Sequence, residues 1–215
     1  MSLTPKFYVS HSTPQVDIST VSNGIPPNTI EVYLDYACPF SGKLYKNWYD
    51  NLFPLLETKY KGKFQFIFRN YVQVWHPTSN LLHEASLVFA QLDPSNFLKF
   101  SYVLFELIEE FYDTATAHLS RNEIYEKIYE LAVAPHFSTT VDKSKFLKSL
   151  VIKKSEDHHS NSGNKATNDL KYFTKVGRQN GIHVTPTVLI NGFKDGSIES
   201  STPIDQVQEK LEAYL

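Results

Sequence analysis

Apolar positions divide the first third of the chain into strand, helix and strand. Ile30 to Tyr36 (IEVYLDY) is β-branched and aromatic, which predicts a strand. Directly after it, Leu44, Trp48, Leu52 and Leu55 recur at helical spacing, so a helix begins at Cys38-Pro39, where Pro39 suits the first helical position. Within Lys63 to Val74, Phe64, Phe66 and Phe68 alternate as in a second strand. A β-α-β order of this kind predicts a parallel pair of strands. Upstream, Lys6 to Ser10 alternates weakly and predicts a further strand, and Val21 to Asn28 is rich in turn residues.

The pattern then changes. Asn80 to Leu92 is helical, Asp93-Pro94 opens a helix to about Tyr112, Ser120 and Glu123 form a capping box, and Asp142 starts a helix through Lys154. No strand pattern separates these helices. Glu156 to Asn164 is small and polar, a loop. A helix through Leu170, Tyr172, Phe173 and Val176 stops near Asn180-Gly181. Val184 to Ile190 then predicts a strand, Asn191-Gly192 a hairpin turn and Phe193 to Ser200 a short returning strand, before Thr202-Pro203 opens a last helix. The sequence shows no internal repeat.

Composition narrows the function classes. The 215 residues are 41% hydrophobic and 20% charged, ample for a full apolar core. The 13 Tyr and 15 Phe read as core and groove residues. A net charge of −2 gives no basic face for nucleic acid. No run approaches a membrane span, and MSLTPKFYVSHSTPQ lacks the basic start and apolar stretch of a secretory signal, so a cytoplasmic or nuclear location is expected. His158 and His159 fall in the polar loop, and His76, His83, His118, His136 and His183 are scattered without ligand spacing, so no metal is expected.

Cys38 is the one cysteine, which excludes an internal disulfide and a multi-cysteine zinc site. A lone cysteine is by default a small buried hydrophobe. The neighbours of Cys38 point elsewhere: a strand runs into Cys38-Pro39-Phe40-Ser41 at a helix start, a helical block follows, and Gly181 to Phe193 (GIHVTPTVLINGF) restarts the strands. Together these features resemble the DsbA-like branch of the thioredoxin superfamily, from about Glu31 to the C-terminus. The resemblance implies an α/β thioredoxin-like fold with an all-helical insertion. The discontinuous domain would comprise residues 1–77 and 175–215, with 78–174 inserted over the active face. It also implies that Pro186 is a cis-proline facing Cys38. The Thr185 backbone, with Val184, Pro39 and Phe40 around it, would then bind an extended peptide or glutathione.

The departures are Ser41, where redox-active members carry a second cysteine, and Phe40, where the DsbA motif has histidine. Disulfide exchange needs a thiolate, which the partial positive charge of a helix N-terminus favours. Ser41 lies one turn along, within reach of a hydrogen bond to the sulfur, but a neutral hydroxyl cannot resolve a mixed disulfide. Asp35 is either a proton acceptor near the thiol or an exposed strand-end carboxylate. Three functions remain open. The first is a single-cysteine thiol–disulfide oxidoreductase acting on a protein or peptide disulfide, with no bound cofactor and glutathione as co-substrate. The second is a glutathione transferase resembling the kappa class, and the third is a non-catalytic peptide-binding module.

Overall fold

The computed structural model describes residues 3–16, 25–153 and 159–215. The first half of the expected turn at Val21 to Asn28 lies outside the described residues, as do the start of the polar loop and His158.

Pro5–Phe7 forms a 3-10 turn leading into α1 (Tyr8–His11), and β1 (Ser12–Thr13) follows. The strand expected over Lys6 to Ser10 is therefore helical. Its weak alternation is overridden by packing: Phe7 and His11, one turn apart, both lie against Phe173, with ring centroids 4.8 and 4.9 Å away. Next come β2 (Asn28–Leu34), α2 (Pro39–Asn51), α3 (Phe53–Glu57) and β3 (Phe64–Asn70). Pro54, in the first turn of α3, has no N–H to continue the ladder from α2, so one apolar pattern becomes two helices.

The central block holds α4 (Ser79–Leu92), α5 (Phe97–Glu106), α6 (Asp113–Thr116), α7 (Arg121–Ile128), α8 (Ala134–Phe137) and α9 (Lys143–Leu150). The single helix expected from Asp93 to Tyr112 is broken by 3-10 turns at Pro94–Asn96 and Ile108–Phe111. The capping box at Ser120 and Glu123 is present, and Asp142 caps α9 by accepting from Lys145 N at 2.9 Å. That helix stops at Leu150 rather than Lys154, because Val151 is already extended. A π turn over Tyr129–Val133 separates α7 from α8, just before Pro135, which cannot donate to the helical ladder.

The chain closes with α10 (Thr167–Gln179), β4 (Thr187–Ile190), β5 (Phe193–Asp195) and α11 (Ile204–Glu212). A Schellman motif ends α10: Ile182 N bonds Gly177 O and Gly181 N bonds Arg178 O, with Gly181 at φ +60°. Asn191 and Gly192 take φ of 52° and 85°, a primed hairpin turn. The strand expected from Val184 begins only at Thr187, after a proline that has no N–H to pair. Its partner ends at Asp195 rather than Ser200, where the Asp195 carboxylate accepts from Ser197 N at 2.8 Å and turns the chain.

The five-stranded sheet has the order β1-β3-β2-β4-β5. Only β2 and β3 run parallel; the other pairs are antiparallel. Among the described residues no strand lies between β3 and β4, so the sheet is drawn from two separated stretches of chain. Ile30 to Leu34 of the central strand are all buried, and α4 is buried nearly all round, so sheet and helical block share one core. The start of α2 and the end of β3 thus come to the same edge of the sheet, under the helical block.

A polar thread crosses that core. Ser10 Oγ lies 2.7 Å from His11 Nδ1, His11 Nε2 lies 2.9 Å from Asn70 Oδ1, and Asn70 Nδ2 lies 2.8 Å from His83 Nδ1. Burial pushes His11 down to about 3 and His83 down to about 4. Both rings are therefore neutral in the folded protein, while the unfolded chain takes up protons below pH ~6.5. Stability is complete above that value and is lost as pH falls towards the folded-state values. Between pH 7.5 and 5, where most carboxylates stay ionised, the loss is expected to be about 2 kcal/mol per histidine. Urea titrations at the two pH values read it, and equal unfolding free energies would contradict this assignment.

Candidate active site

Cys38 is the N-cap of α2, with Pro39 as the first helical residue. Its amide donates to Asp35 O at 3.1 Å and its carbonyl accepts from Gly42 N at 3.0 Å, which closes the first helical turn. No side chain caps this helix, so its first N–H groups stay free to face an anion near the sulfur. The residue is 4% exposed. The thiol donates to Thr185 O at 3.4 Å, across 147 residues of sequence.

Asp35 holds this arrangement. Far from being an exposed strand end, it is 0% exposed. Its Oδ1 accepts from Ala37 N at 2.7 Å, and its Oδ2 accepts from Gln73 N at 2.5 Å and from Ser79 Oγ at 2.7 Å. One carboxyl group thus joins the turn before α2, the segment after β3 and the first residue of α4. A buried carboxyl group is tolerated only where donors meet it in this way. Gln73 extends the link, because its Nε2 donates to Thr185 Oγ1. The Thr185–Pro186 peptide bond is cis.

The other expected site residues divide into two groups. Pro39, Phe40 and Val184 are exposed, Phe40 at 62% and Val184 at 56%. Phe40, Val184, Thr185 and Pro186 line a cleft of about 480 Å³, whose far wall includes Lys194 and Ile198. Ser41 behaves differently. Its hydroxyl, expected on the sulfur, is fully buried and accepts from Asp35 N at 3.3 Å.

Sequence reasoning missed Gln73 and Ser79, while Lys43, a turn further on from Cys38, lies in the cleft wall. For Gln73 a signal existed: ligands gather at the carboxyl ends of parallel strands, which marks the residues just after β3. Among the described residues no group of three or more His, Cys, Asp and Glu side chains is gathered as metal ligands would be. No helix among them is long and apolar enough to cross a membrane.

Comparison with known proteins places this geometry. The family model described as thioredoxin matches residues 24–213. No curated protein sequence matches the chain. Among solved structures, a putative protein-disulfide isomerase from Pseudomonas syringae is 24% identical with a TM-score of 0.66, covering 86% of this chain and 94% of its own. BdbD from Bacillus subtilis, in its oxidised form, is 20% identical with a TM-score of 0.60, covering 87% of each chain. DsbA from Chlamydia trachomatis is 16% identical with a TM-score of 0.57, covering 93% of this chain and 96% of its own.

Two substitutions separate scaffold from chemistry. Asp35→Ala strands Ala37 N, Gln73 N and the Ser79 hydroxyl, and is expected to lower the unfolding free energy by roughly 3–5 kcal/mol. Ser41→Ala removes one acceptor and should cost about 1 kcal/mol. Alkylation of Cys38 by iodoacetamide should stay within about threefold of wild type in Ser41→Ala, less than one hydrogen bond to the sulfur would change it. A larger loss of reactivity in a folded Ser41→Ala protein would return the hydroxyl to the sulfur.

Proposed function

The chain belongs to the thioredoxin family and has the fold of its DsbA-like thiol–disulfide oxidoreductases, and from that premise we propose that it is a single-cysteine thiol–disulfide oxidoreductase working through Cys38. One observation carries this reading: the sulfur lies at an uncapped helix N-terminus, against the carbonyl of a residue that lines an open cleft. The helix end presents unpaired N–H groups to an anion formed there, and the cleft gives a disulfide room beside it.

In the first step the Cys38 thiolate attacks one sulfur of a disulfide. A bond forms between Cys38 and that half of the substrate, and the other half leaves as a thiolate. With no second cysteine in the chain, the mixed disulfide persists until an outside thiolate attacks the substrate sulfur and releases Cys38. Glutathione is the proposed outside thiol, and a protein or peptide disulfide the proposed substrate. An extended backbone would pair beside Thr185, between the exposed side chains of Phe40 and Val184.

A second reading has one observation in its favour. Cys38 is buried, which suits a peptide-binding module that keeps the fold without the redox step. The transferase reading is weaker, because the Ser41 hydroxyl is turned towards the Asp35 amide and is not presented to a ligand.

Intact-mass measurement after incubation with oxidised glutathione distinguishes them. The native protein is expected to gain one glutathionyl group, lost on adding reduced glutathione, and Cys38→Ser should gain none. Ser41→Cys should instead lose two hydrogens, as an internal disulfide forms between residues three apart in the first helical turn. A native protein that takes up no glutathione at mildly alkaline pH would leave the binding module as the better reading.

A further inference from the structure

We propose that the cleft beside Cys38 selects small zwitterionic disulfides and thiols of amino-acid type, Lys43 pairing with a carboxylate of the ligand and Glu199 with its ammonium group. The inference rests on the proposed function and deepens it, because it names the chemical class of partner that the cleft holds against the reacting thiol.

The cleft lies where two stretches of chain meet over the start of β4. In the sheet, β4 stands between β2 and β5. The end of β2 leads through Cys38 into α2, and β5 leads into the segment 196–201; both line the cleft with Thr185 and Pro186. From α2 come Phe40 and Lys43, three residues apart and so on one face of the helix. From the β5 side come Lys194, Asp195 and Glu199.

Two of these charged groups are already engaged. Lys194 Nζ donates to Gly181 O, and the Asp195 carboxylate accepts from Ser197 N at 2.8 Å and from the Ser197 hydroxyl. Lys43 and Glu199 differ. Both are exposed, and among the described residues no hydrogen bond or ion pair engages Lys43 Nζ or the Glu199 carboxylate. The Glu199 backbone is held by Thr202: its N–H donates to Thr202 Oγ1 at 2.8 Å, and its carbonyl accepts from Thr202 N at 3.1 Å. Its side chain is thus presented from a closed turn.

A cation offered from one wall and a carboxylate from the other complement a ligand that carries both signs of charge. The cleft volume, about 480 Å³, falls within the roughly 300–1,000 Å³ of small-molecule sites. Glutathione has this chemistry, with carboxylates and an ammonium group on either side of its thiol. A long protein segment would cross the cleft through its backbone and need neither charge. In the reaction with an oxidised ligand, a bond forms between Cys38 and the half held in the cleft. The ligand's own S–S bond breaks, and the other half leaves as a thiolate with the electron pair.

The test compares the rates at which Cys38 is modified, at one pH, by oxidised glutathione and by bis(2-hydroxyethyl) disulfide, which has no charge. Their ratio cancels any change in the sulfur itself. Lys43→Met and Glu199→Gln each remove one charge and keep the stem. Each is expected to lower the ratio about three- to tenfold, a difference that narrows as salt is raised. Dithiodipropionate, anionic and without an ammonium group, should react more slowly with Lys43→Met and faster with Glu199→Gln. Lys46→Met removes the same charge one turn along α2, where Lys46 pairs with Glu106 at 2.9 Å outside the cleft lining, and should keep the wild-type ratio. A ratio unmoved in either cleft variant, in a protein that still takes up glutathione, overturns this inference and leaves the proposed function standing. An equal fall in Lys46→Met does the same. A wild-type thiol that reacts with neither disulfide while folded overturns both.

Discussion

The buried carboxyl group of Asp35 is the constraint on which the site depends. It takes donors from the turn before α2, from the segment after β3 and from the first residue of α4, and its own backbone amide donates to the Ser41 hydroxyl. Each donor fixes an element that would otherwise end in a free loop. Gln73, held by its amide, reaches with its side chain to Thr185, and Thr185 offers its carbonyl to the sulfur. The position of Cys38 relative to the cleft is therefore set by a chain of hydrogen bonds that begins at Asp35. Such a network is costly when incomplete and rigid when complete, and around Asp35 both carboxylate oxygens are occupied.

That rigidity bears on chemistry with one thiol. A two-cysteine site can discharge a mixed disulfide internally; a single thiol must hold its partner until another molecule arrives. A cysteine 4% exposed, its thiol on the carbonyl of a residue that lines a cleft of about 480 Å³, would suit holding more than rapid release. In the proposed function the exposed Phe40 and Val184 of the cleft lining would offer apolar surface to a held partner, and Lys43 in the wall adds a positive charge near the helix end. The helical block packs on the start of α2 through Ile108 and Phe105 against Gly42, where an added Cβ would sit in ordinary van der Waals contact with both.

Much of this was legible in the sequence. Ile30 to Leu34 reads as a strand because it is buried on both faces, and α2 begins where Cys38-Pro39 says it should. Asn191-Gly192 forms the hairpin its composition demands. The misreadings share one cause. Lys6 to Ser10 is helical because Phe7 and His11 pack on Phe173, more than 150 residues away, a contact no local pattern shows. Asp35 and Gln73 carry no motif, since their roles come from partners 38 and 112 residues distant. Ser41 was placed on the correct helical turn, but the Asp35 amide, not the sulfur, holds its hydroxyl.

The central claim is that Cys38 is a reacting thiol and not a core residue. The most direct measurement compares its alkylation rate in the folded protein with that in the urea-unfolded chain, at one pH near 7. A reacting thiol at a helix end, with a cleft beside it, predicts that the folded protein reacts at least as fast as the unfolded one. A folded-state rate lower by orders of magnitude would contradict the account and make Cys38 a packed apolar side chain.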